Sequence, residues 1–440
     1  MSPATKSLHD EALELFSRGE TAEAIGLLRR AVTDALDPEL VNDLAALLAA
    51  TGGRREAAEL LRGLLRLAPG FAPALENLAL VEPDPPLPEA RSAFLQVVAE
   101  AAATRLADNL DHLFHPTGHP LPDPAGTGAR LAEQLAVLER CGVLWRRLGD
   151  PASRALFLRF LAYRALGPEH VRLQLEPEPY RLAVVGLTMR ALRQACVADA
   201  RGAPFEWQLH LYDLAETGTP VLAIGQPLAL ASTYVFSQYA YRSAPELAGP
   251  RPGDVALDAG GCWGETALWL AHAVGEHGGV HTFEPSPANR EVMAKNLELN
   301  PALAGRIRVH DAPLAARVGE TVWIDDGIWP GATMRSERRS EDAPAVSVLT
   351  DTIDALVERG EIERVDFLKV DVEGADIDVL EGAARTIRTQ RPRLALAAYH
   401  RHDDLARIPE FLESLGVAYD WYLQCSTMTD VDTVAFAVPA

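Results

Sequence analysis

Apolar positions along this chain follow three successive rhythms. Residues 1–82 repeat at a spacing of 34: Ala12 matches Ala46, Leu13 matches Leu47, Gly19 matches Gly53, Ala24 matches Ala58 and Leu27 matches Leu61. A glycine after one helix and a small residue inside the next suit tight antiparallel helix pairs that stack on one another. Pro69-Gly70 ends the second pair, and Ala74 to Leu80 opens another helix. The run Glu82-Pro-Asp-Pro-Pro-Leu-Pro88 marks a linker or sharp turn. Two helical stretches follow, near 88–113 and 126–148, around a second loop rich in proline and glycine. Polar and apolar positions then alternate. His170-Val-Arg-Leu-Gln-Leu175 and Glu206-Trp-Gln-Leu-His-Leu-Tyr212 read as half-buried strands, and Val221-Leu-Ala-Ile224 as a short apolar one. Residues 83–240 are therefore expected to form a helical, then mixed α/β, accessory region.

The third rhythm, within residues 241–440, is a regular exchange of strands and helices. Strands are predicted at Val255–Asp258, Val280–Glu284, Ile307–His310, Val365–Val370 and Leu394–Tyr399. Helices are predicted at Glu265–Val274, Pro287–Asn300 and Ile377–Thr389, with a closing hairpin of Tyr419–Gln424 and Thr433–Val438. Such alternation means a largely parallel sheet covered by helices on both faces, here ended by an antiparallel pair.

Composition narrows the partners. Against 41 Lys and Arg stand 62 Asp and Glu, a formal charge of −21. A chain so acidic repels phosphate backbones, so nucleic acid is not expected as a partner. Arg335, Arg338 and Arg339 read as a solvated loop face. Thr217–Tyr241 carries no charged residue and is long enough to cross a bilayer. Gly218, Pro220, Gly225, Gln226, Pro227 and Gln238 interrupt it, so it reads as a buried strand, a turn and a helix, not a membrane span. The first ten residues lack the apolar stretch of a signal peptide. Cys141, Cys196, Cys262 and Cys425 are scattered without a CxxC spacing, which indicates neither a zinc site nor a disulfide framework and suits a cytoplasmic setting. His112, His115 and His119 lie among Pro116, Gly118 and Pro120. They read as surface histidines, and no metal site is expected.

The residues that bear chemistry cluster at predicted strand ends. In an open α/β sheet, ligands bind beyond the carboxyl ends of the strands. There stands Asp258-x-Gly260-Gly261-x-x-Gly264, where glycines admit a close backbone approach and the next helix offers free N–H groups. Glu284 ends the second strand, where an acid can accept bonds from ribose hydroxyls. This spacing alone fits either a dinucleotide or another adenosine cofactor. Asp258 ahead of the glycines, with one glycine fewer in dinucleotide register, favours S-adenosylmethionine, because an acid repels a pyrophosphate but not an ammonium or a sulfonium.

Three blocks then carry a resemblance. Gly253-Asp-Val-Ala-Leu-Asp-Ala-Gly-Gly-Cys-Trp-Gly-Glu-Thr266, Val280-His-Thr-Phe-Glu-Pro-Ser-Pro-Ala-Asn289, and Val365-Asp-Phe-Leu-Lys-Val-Asp-Val-Glu-Gly374 with Leu380-Glu-Gly-Ala383 resemble the FkbM family of S-adenosylmethionine-dependent methyltransferases. The resemblance implies a Rossmann-like class I methyltransferase domain in residues 241–440. It also implies a hydroxyl acceptor on a glycan or a secondary metabolite. By the same resemblance Asp258, Gly260 and Gly264 would line the methionine part of the cofactor, and Glu284 would hold the ribose. Asp311 and Ala312 would lie by the adenine, and Gln238 would cover the cofactor. The helical pairs of residues 1–82 resemble tetratricopeptide repeats, without most of that pattern's large aromatics. They imply either a docking surface for a protein partner or an extension that packs on the chain or self-associates.

Methyl transfer is an in-line displacement, so the enzyme aligns the nucleophile and excludes water. An alcohol must also lose its proton. The candidate catalytic residues are Asp371, Glu373 and His400. Asp371 and Glu373 are two apart and share a face if the strand continues that far, and His400 ends the next strand. They can act as base and substrate holders, or hold a divalent cation that acidifies a substrate hydroxyl, although no metal is indicated by the sequence itself. Structural roles stand beside these: Glu373 as a helix cap, His400 as a loop histidine, Lys369 as the partner of a nearby acid. The acceptor is expected near the accessory region, the Trp323–Arg339 loop and the ends at Asp371 and His400. Alternatives to O-methylation are N-methylation, a non-methylating cyclisation, or an interaction protein that only binds the cofactor.

Overall fold

The computed structural model describes residues 3–34, 37–51, scattered positions between 53 and 77, and 88–109, 124–200, 207–325, 334–338 and 345–440. His112, His115, His119, the linker prolines before Pro88, and residues 326–333 and Arg339 of the expected acceptor loop lie outside the described residues. The chain divides into two compact units, Met1–Leu87 and Pro88–Ala440.

In the first unit, helices Pro3–Ser17, Thr21–Asp34 and Pro38–Ala50 pack through small residues. Ala12, Ala24, Ala31 and Ala45 are fully buried beside Leu28, Leu40 and Leu44. The third helix starts cleanly: the Asp37 carboxylate accepts from the Glu39 N–H at 3.0 Å, and Pro38 occupies the first turn, where its missing N–H has no intrahelical partner.

The second unit is built on a seven-stranded sheet. In chain order its strands are β4 (Val255–Ala259), β5 (Gly279–Phe283), β6 (Ile307–His310), β10 (Phe367–Val370), β11 (Arg393–Ala397), β12 (Tyr419–Cys425) and β13 (Thr433–Pro439). The spatial order is β12-β13-β11-β10-β4-β5-β6; the first five in sequence run parallel, and β13 lies antiparallel between β11 and β12. All of β10 and β11 is buried, as expected of central strands covered on both faces. The Glu265–Val274 helix falls where predicted, between Gly264 and Gly275. The helix predicted over Ile377–Thr389 is instead two, Asp376–Glu381 and Ala384–Gln390. At the break a Cβ on Gly382 would stand 2.1 Å from the Ala315 carbonyl, so two backbones meet there.

The accessory region holds a three-stranded antiparallel sheet of β1 (Arg193–Ala200), β2 (Trp207–Asp213) and β3 (Leu222–Gly225). Asn296 and Asn300 attach it to the helix after β5. Their side-chain amides bond the backbone N–H and carbonyl of Ile224 and Leu222 at 2.6–3.0 Å, as a partner strand would. The strand expected at His170–Leu175 is absent. Val171 and Leu173 are indeed buried, but the Val171 and Leu173 carbonyls are taken by the Asn109 and Arg159 side chains rather than by a neighbouring strand. The uncharged run Thr217–Tyr241 folds as β3, a turn of helix at Pro227–Leu230 and a π-helical turn at Ala231–Val235. Among the described residues no helix is long and apolar enough to cross a membrane. Between β6 and β10 the chain inserts a small sheet, β7 (Thr321–Asp325), β8 (Met334–Arg335) and β9 (Ala345–Leu349), where a loop was expected.

Candidate active site

Asp258 is the last residue but one of β4, in the middle of the sheet, and is completely buried. One of its oxygens accepts from the Thr266 and Thr282 hydroxyls at 3.0 and 2.9 Å, and the other lies 3.0 Å from the Lys369 ammonium. Burial opposes a charge on Lys369, but Asp258 and, beyond it, Asp371 hold it above its ordinary pKa. The same ammonium donates to the carbonyls of Ala259 and Gly260, so it pins the start of the glycine loop. The glycines answer close contacts inside the protein. A Cβ on Gly260 (φ +86°) would stand 1.9 Å from the Asp371 carbonyl, and one on Gly261 2.0 Å from the Thr282 hydroxyl.

A cleft opens beyond the strand ends, with about 600 Å³ of empty space counting its mouth. Gly260, Cys262, Phe283, Glu284, Leu314, Asp371 and Glu373 line it, with Ile324 and Met334 of the inserted sheet along one side. Glu284 is buried and accepts from the backbone N–H groups of Cys262 and Ser286 at 2.9 and 2.8 Å. Burial pushes its carboxyl up to about 7.

At the other end of the cleft lie the ends of β10 and β11. Asp371 accepts from the Tyr239 hydroxyl at 2.7 Å and from the Tyr399 hydroxyl at 3.3 Å. His400 stands between two carboxylates: its Nε2 is 3.2 Å from Asp371 and its Nδ1 2.9 Å from Asp376. Burial disfavours the imidazolium, yet the bonds to Asp371 and Asp376 prevail and push His400 up to about 11. Burial alone would raise Asp371, but His400, Lys369 and Tyr239 hold it well below the usual carboxylate range. Glu373 is different. It is exposed at the mouth of the cleft, its Oε2 is 3.8 Å from His400, and partial desolvation there, with Asp371 beside it, raises its carboxyl above the ordinary value. Its backbone is left-handed (φ +54°), a conformation a non-glycine residue adopts at a cost and often at functional turns. Asp371 is thus a weak base and His400 stays protonated near neutrality. Of the three, only Glu373 is raised toward neutrality. Among the described residues no group of three or more His, Cys, Asp or Glu side chains is arranged to hold a metal ion.

Residues 249–419 match the family model of the methyltransferase FkbM domain. This part of the chain is an FkbM-type methyltransferase domain. Its sheet, five parallel strands closed by an antiparallel pair, has the Rossmann-like class I architecture. No curated protein matches the chain. Solved structures similar to it include the methyltransferase FkbM from Methylobacillus flagellatus KT, 20% identical with a TM-score of 0.44, covering 70% of this chain and 60% of that one. The O-methyltransferase from Bacillus cereus in complex with SAH is 16% identical with a TM-score of 0.29, covering 52% of this chain and 87% of that one. Aeropyrum pernix fibrillarin with natively bound S-adenosyl-L-methionine is 14% identical with a TM-score of 0.29, covering 55% of this chain and 98% of that one. These likenesses are distant and carry nothing about the acceptor.

Within the FkbM-type domain the expected site residues take different places. Gly260, Glu284, Asp371 and Glu373 line the cleft, and His400 backs it. Asp258 and Gly264 do not line it: Asp258 faces Lys369, and a Cβ on Gly264 would stand 2.7 Å from Met293. Lys369 neutralises Asp258, whereas Glu284, Asp371 and Glu373 face the cleft. Asp311 is exposed, and Pro313 and Leu314 line the cleft in place of Asp311 and Ala312. Gln238 is buried with its N–H on the Ser232 carbonyl at 2.9 Å, outside the lining. The next residue, Tyr239, reaches the site instead. Tyr239, Tyr399 and Asp376 were not singled out by the sequence, nor was Asp432, an acid near Asp371 that burial and that neighbouring charge push up to about 6. The one signal for Tyr399 and Asp376 was their nearness in sequence to His400 and Glu373.

Proposed function

We propose that this chain is an S-adenosylmethionine-dependent methyltransferase that methylates a hydroxyl of a small-molecule or glycan acceptor. The carrying observation is an acid-lined cleft across the strand ends, with Glu284 at one end and Asp371 and Glu373 at the other. Its donor chemistry fits a cofactor that bears an ammonium and a sulfonium, and disfavours a pyrophosphate. Bound there, S-adenosylmethionine supplies a methyl group on a good leaving group. Glu284, with two of its lone pairs on backbone N–H groups, keeps acceptor capacity for a ribose diol. The glycine loop, pinned by Lys369, holds the backbone at the methionine end. Asp371, fixed by Tyr239, Tyr399 and His400, presents a permanent negative charge. Glu373, poised near neutrality, takes the proton of the acceptor hydroxyl as its oxygen attacks.

Calorimetric titration of the full chain with S-adenosylmethionine and S-adenosylhomocysteine tests the first half of this reading. Failure to bind either removes it. Mass spectrometry of the cofactor after incubation with a small-molecule extract tests the second. S-Adenosylhomocysteine supports methyl transfer, methylthioadenosine points to a cyclisation, and binding without turnover favours an interaction protein. Asp371→Asn is expected to lower turnover by about a hundredfold or more while cofactor binding persists. Full activity in that variant would sink the role given to Asp371.

A further inference from the structure

We infer that Tyr239, ten residues upstream of the matched domain, is a positioning residue of the transfer site: it fixes the Asp371 carboxylate and, through it, the His400 imidazolium. Its functional meaning rests on the methyltransferase reading above; the link itself stands on geometry.

The Tyr239 hydroxyl makes the shortest contact that Asp371 receives, 2.7 Å, against 3.2 Å from His400 and 3.3 Å from Tyr399. Its ring is buried, and the Lys369 ammonium lies 5.3 Å from the ring centre. That ammonium also grips the glycine loop, so Tyr239 touches both Asp371 and the lysine that holds the loop. Packing alone does not ask for this. A phenylalanine would fill the same space, whereas a buried phenol requires a partner for its hydroxyl.

The backbone that carries Tyr239 has no regular secondary structure, yet it is tied at almost every residue. Ser237 is left-handed (φ +50°). Gln238 N–H donates to Ser232, and Ala240 N–H to Ser237. The Gln424 amide donates to the carbonyls of Ser237 and Ala240, and Arg242 donates to Phe236. The same segment makes a second contact with the site, where the Ser232 hydroxyl donates to Asp432 at 3.1 Å. An irregular turn held this firmly fixes the direction of the phenol. Removing the hydroxyl takes away the shortest bond to a half-buried carboxylate and lets Asp371 rotate away from His400.

The test uses the full chain labelled with 15N-histidine, the His400 ring N–H being assigned by its loss in His400→Gln. Tyr239→Phe keeps the ring. It is expected to shift the His400 Nε2–H resonance and to speed its exchange with water about tenfold or more, with affinity for S-adenosylhomocysteine within about threefold of the parent. Tyr234→Phe is the packing control, because this buried tyrosine of the same segment donates to the Glu265 backbone carbonyl at 2.7 Å and not to Asp371. It should leave the resonance in place. Tyr399→Phe should give a smaller shift than Tyr239→Phe. An unchanged resonance in folded Tyr239→Phe, an equal change in Tyr234→Phe, or a larger change in Tyr399→Phe each overturns the inference. If the extract supports turnover, Tyr239→Phe lowers kcat about tenfold or more with the cofactor KM unchanged. The resonance needs neither cofactor nor acceptor, so a protein that binds no S-adenosylhomocysteine would refute the methyltransferase reading and leave this result readable.

Discussion

Asp258 and Asp371 lie at the ends of neighbouring parallel strands of one sheet and have opposite surroundings. Lys369 pairs in register with Asp258, and the Asp371 N–H donates to the next residue of β4, Ala259, at 3.1 Å. Asp258 is sealed from the cleft, and both of its oxygens are occupied by Lys369, Thr266 and Thr282. Asp371 lines the cleft and is held by groups that leave one side of it open to a ligand. The first acid builds the frame and the second is presented by it. Identical residue type and nearly identical placement on the sheet therefore do not decide function; what decides is whether the protein itself fills the carboxylate.

The largest expected effect breaks the frame. Asp258→Ala leaves the Lys369 ammonium buried without its partner and is expected to cost about 3–5 kcal/mol of stability. Urea unfolding measures it. The double variant Asp258→Asn/Lys369→Met removes the stranded charge and should recover much of that loss. Asp371→Asn should destabilise far less, since Asp376 still pairs with His400, the one amide oxygen can still accept from the imidazolium, and the Tyr239 hydroxyl can turn to accept from the amide NH₂. A loss of equal size at Asp371 would erase the distinction between the two acids.

A second frame-side acid sharpens the comparison, because it lacks what Asp258 has. Glu265, first residue of its helix, is buried, and among the described residues its Oε2 has no hydrogen-bond partner. Burial pushes it up to about 7 from an ordinary 4.5. The raised value fixes the sign. Below pH 4.5 native and unfolded chains both keep the proton, and the stability it confers is complete. As pH rises toward 7 the unfolded chain releases that proton while the native one retains it, so stability falls, by about 3 kcal/mol in total. Glu265→Gln has no such loss. Its stability relative to the parent should be near zero at about pH 4 and rise to about 3 kcal/mol at about pH 8. Glu284 and Glu373 titrate in the same window but are common to both proteins and cancel. A difference that does not change with pH would mean that Glu265 has a partner in solution.

How much of this was legible in the sequence follows from the range of the interactions involved. The strands and helices from Val255 to His310 were readable because each is a local pattern with glycine or proline at its limits, Gly264 and Gly275 around one helix, Ser286-Pro287 at the start of the next. The FkbM-type blocks were readable for the same reason. His170–Leu175 misled because alternation reports burial, whereas a strand also requires a neighbour to bond. The inserted sheet escaped because β7 and β9 are short, with a long excursion between them. Tyr239 escaped because its partner Asp371 is 132 residues away, and nothing local distinguishes a tyrosine that packs from one that donates. Asp258 is visible in the sequence as an acid, but nothing local marks Lys369, 111 residues on, as its partner.

The smallest expected effect asks on which side Glu284 belongs. It shares burial with Asp258 and a place in the cleft with Asp371. Its two oxygens take the Cys262 and Ser286 N–H groups, so Glu284→Gln must turn an amide NH₂ toward one of them and lose that bond. Relief from burying a charge offsets part of this, because the parent carboxyl is already pushed up to about 7. Stability should therefore change little. If the remaining lone pairs serve a ribose diol, affinity for S-adenosylhomocysteine at about pH 8 should fall about tenfold, or about 1.4 kcal/mol. Calorimetry on parent and variant separates the cases. Weaker binding with an unchanged unfolding midpoint assigns Glu284 to the ligand. Unchanged binding with a lowered midpoint assigns it to the frame, alongside Asp258, and leaves Asp371 and Glu373 as the acids that the cleft presents.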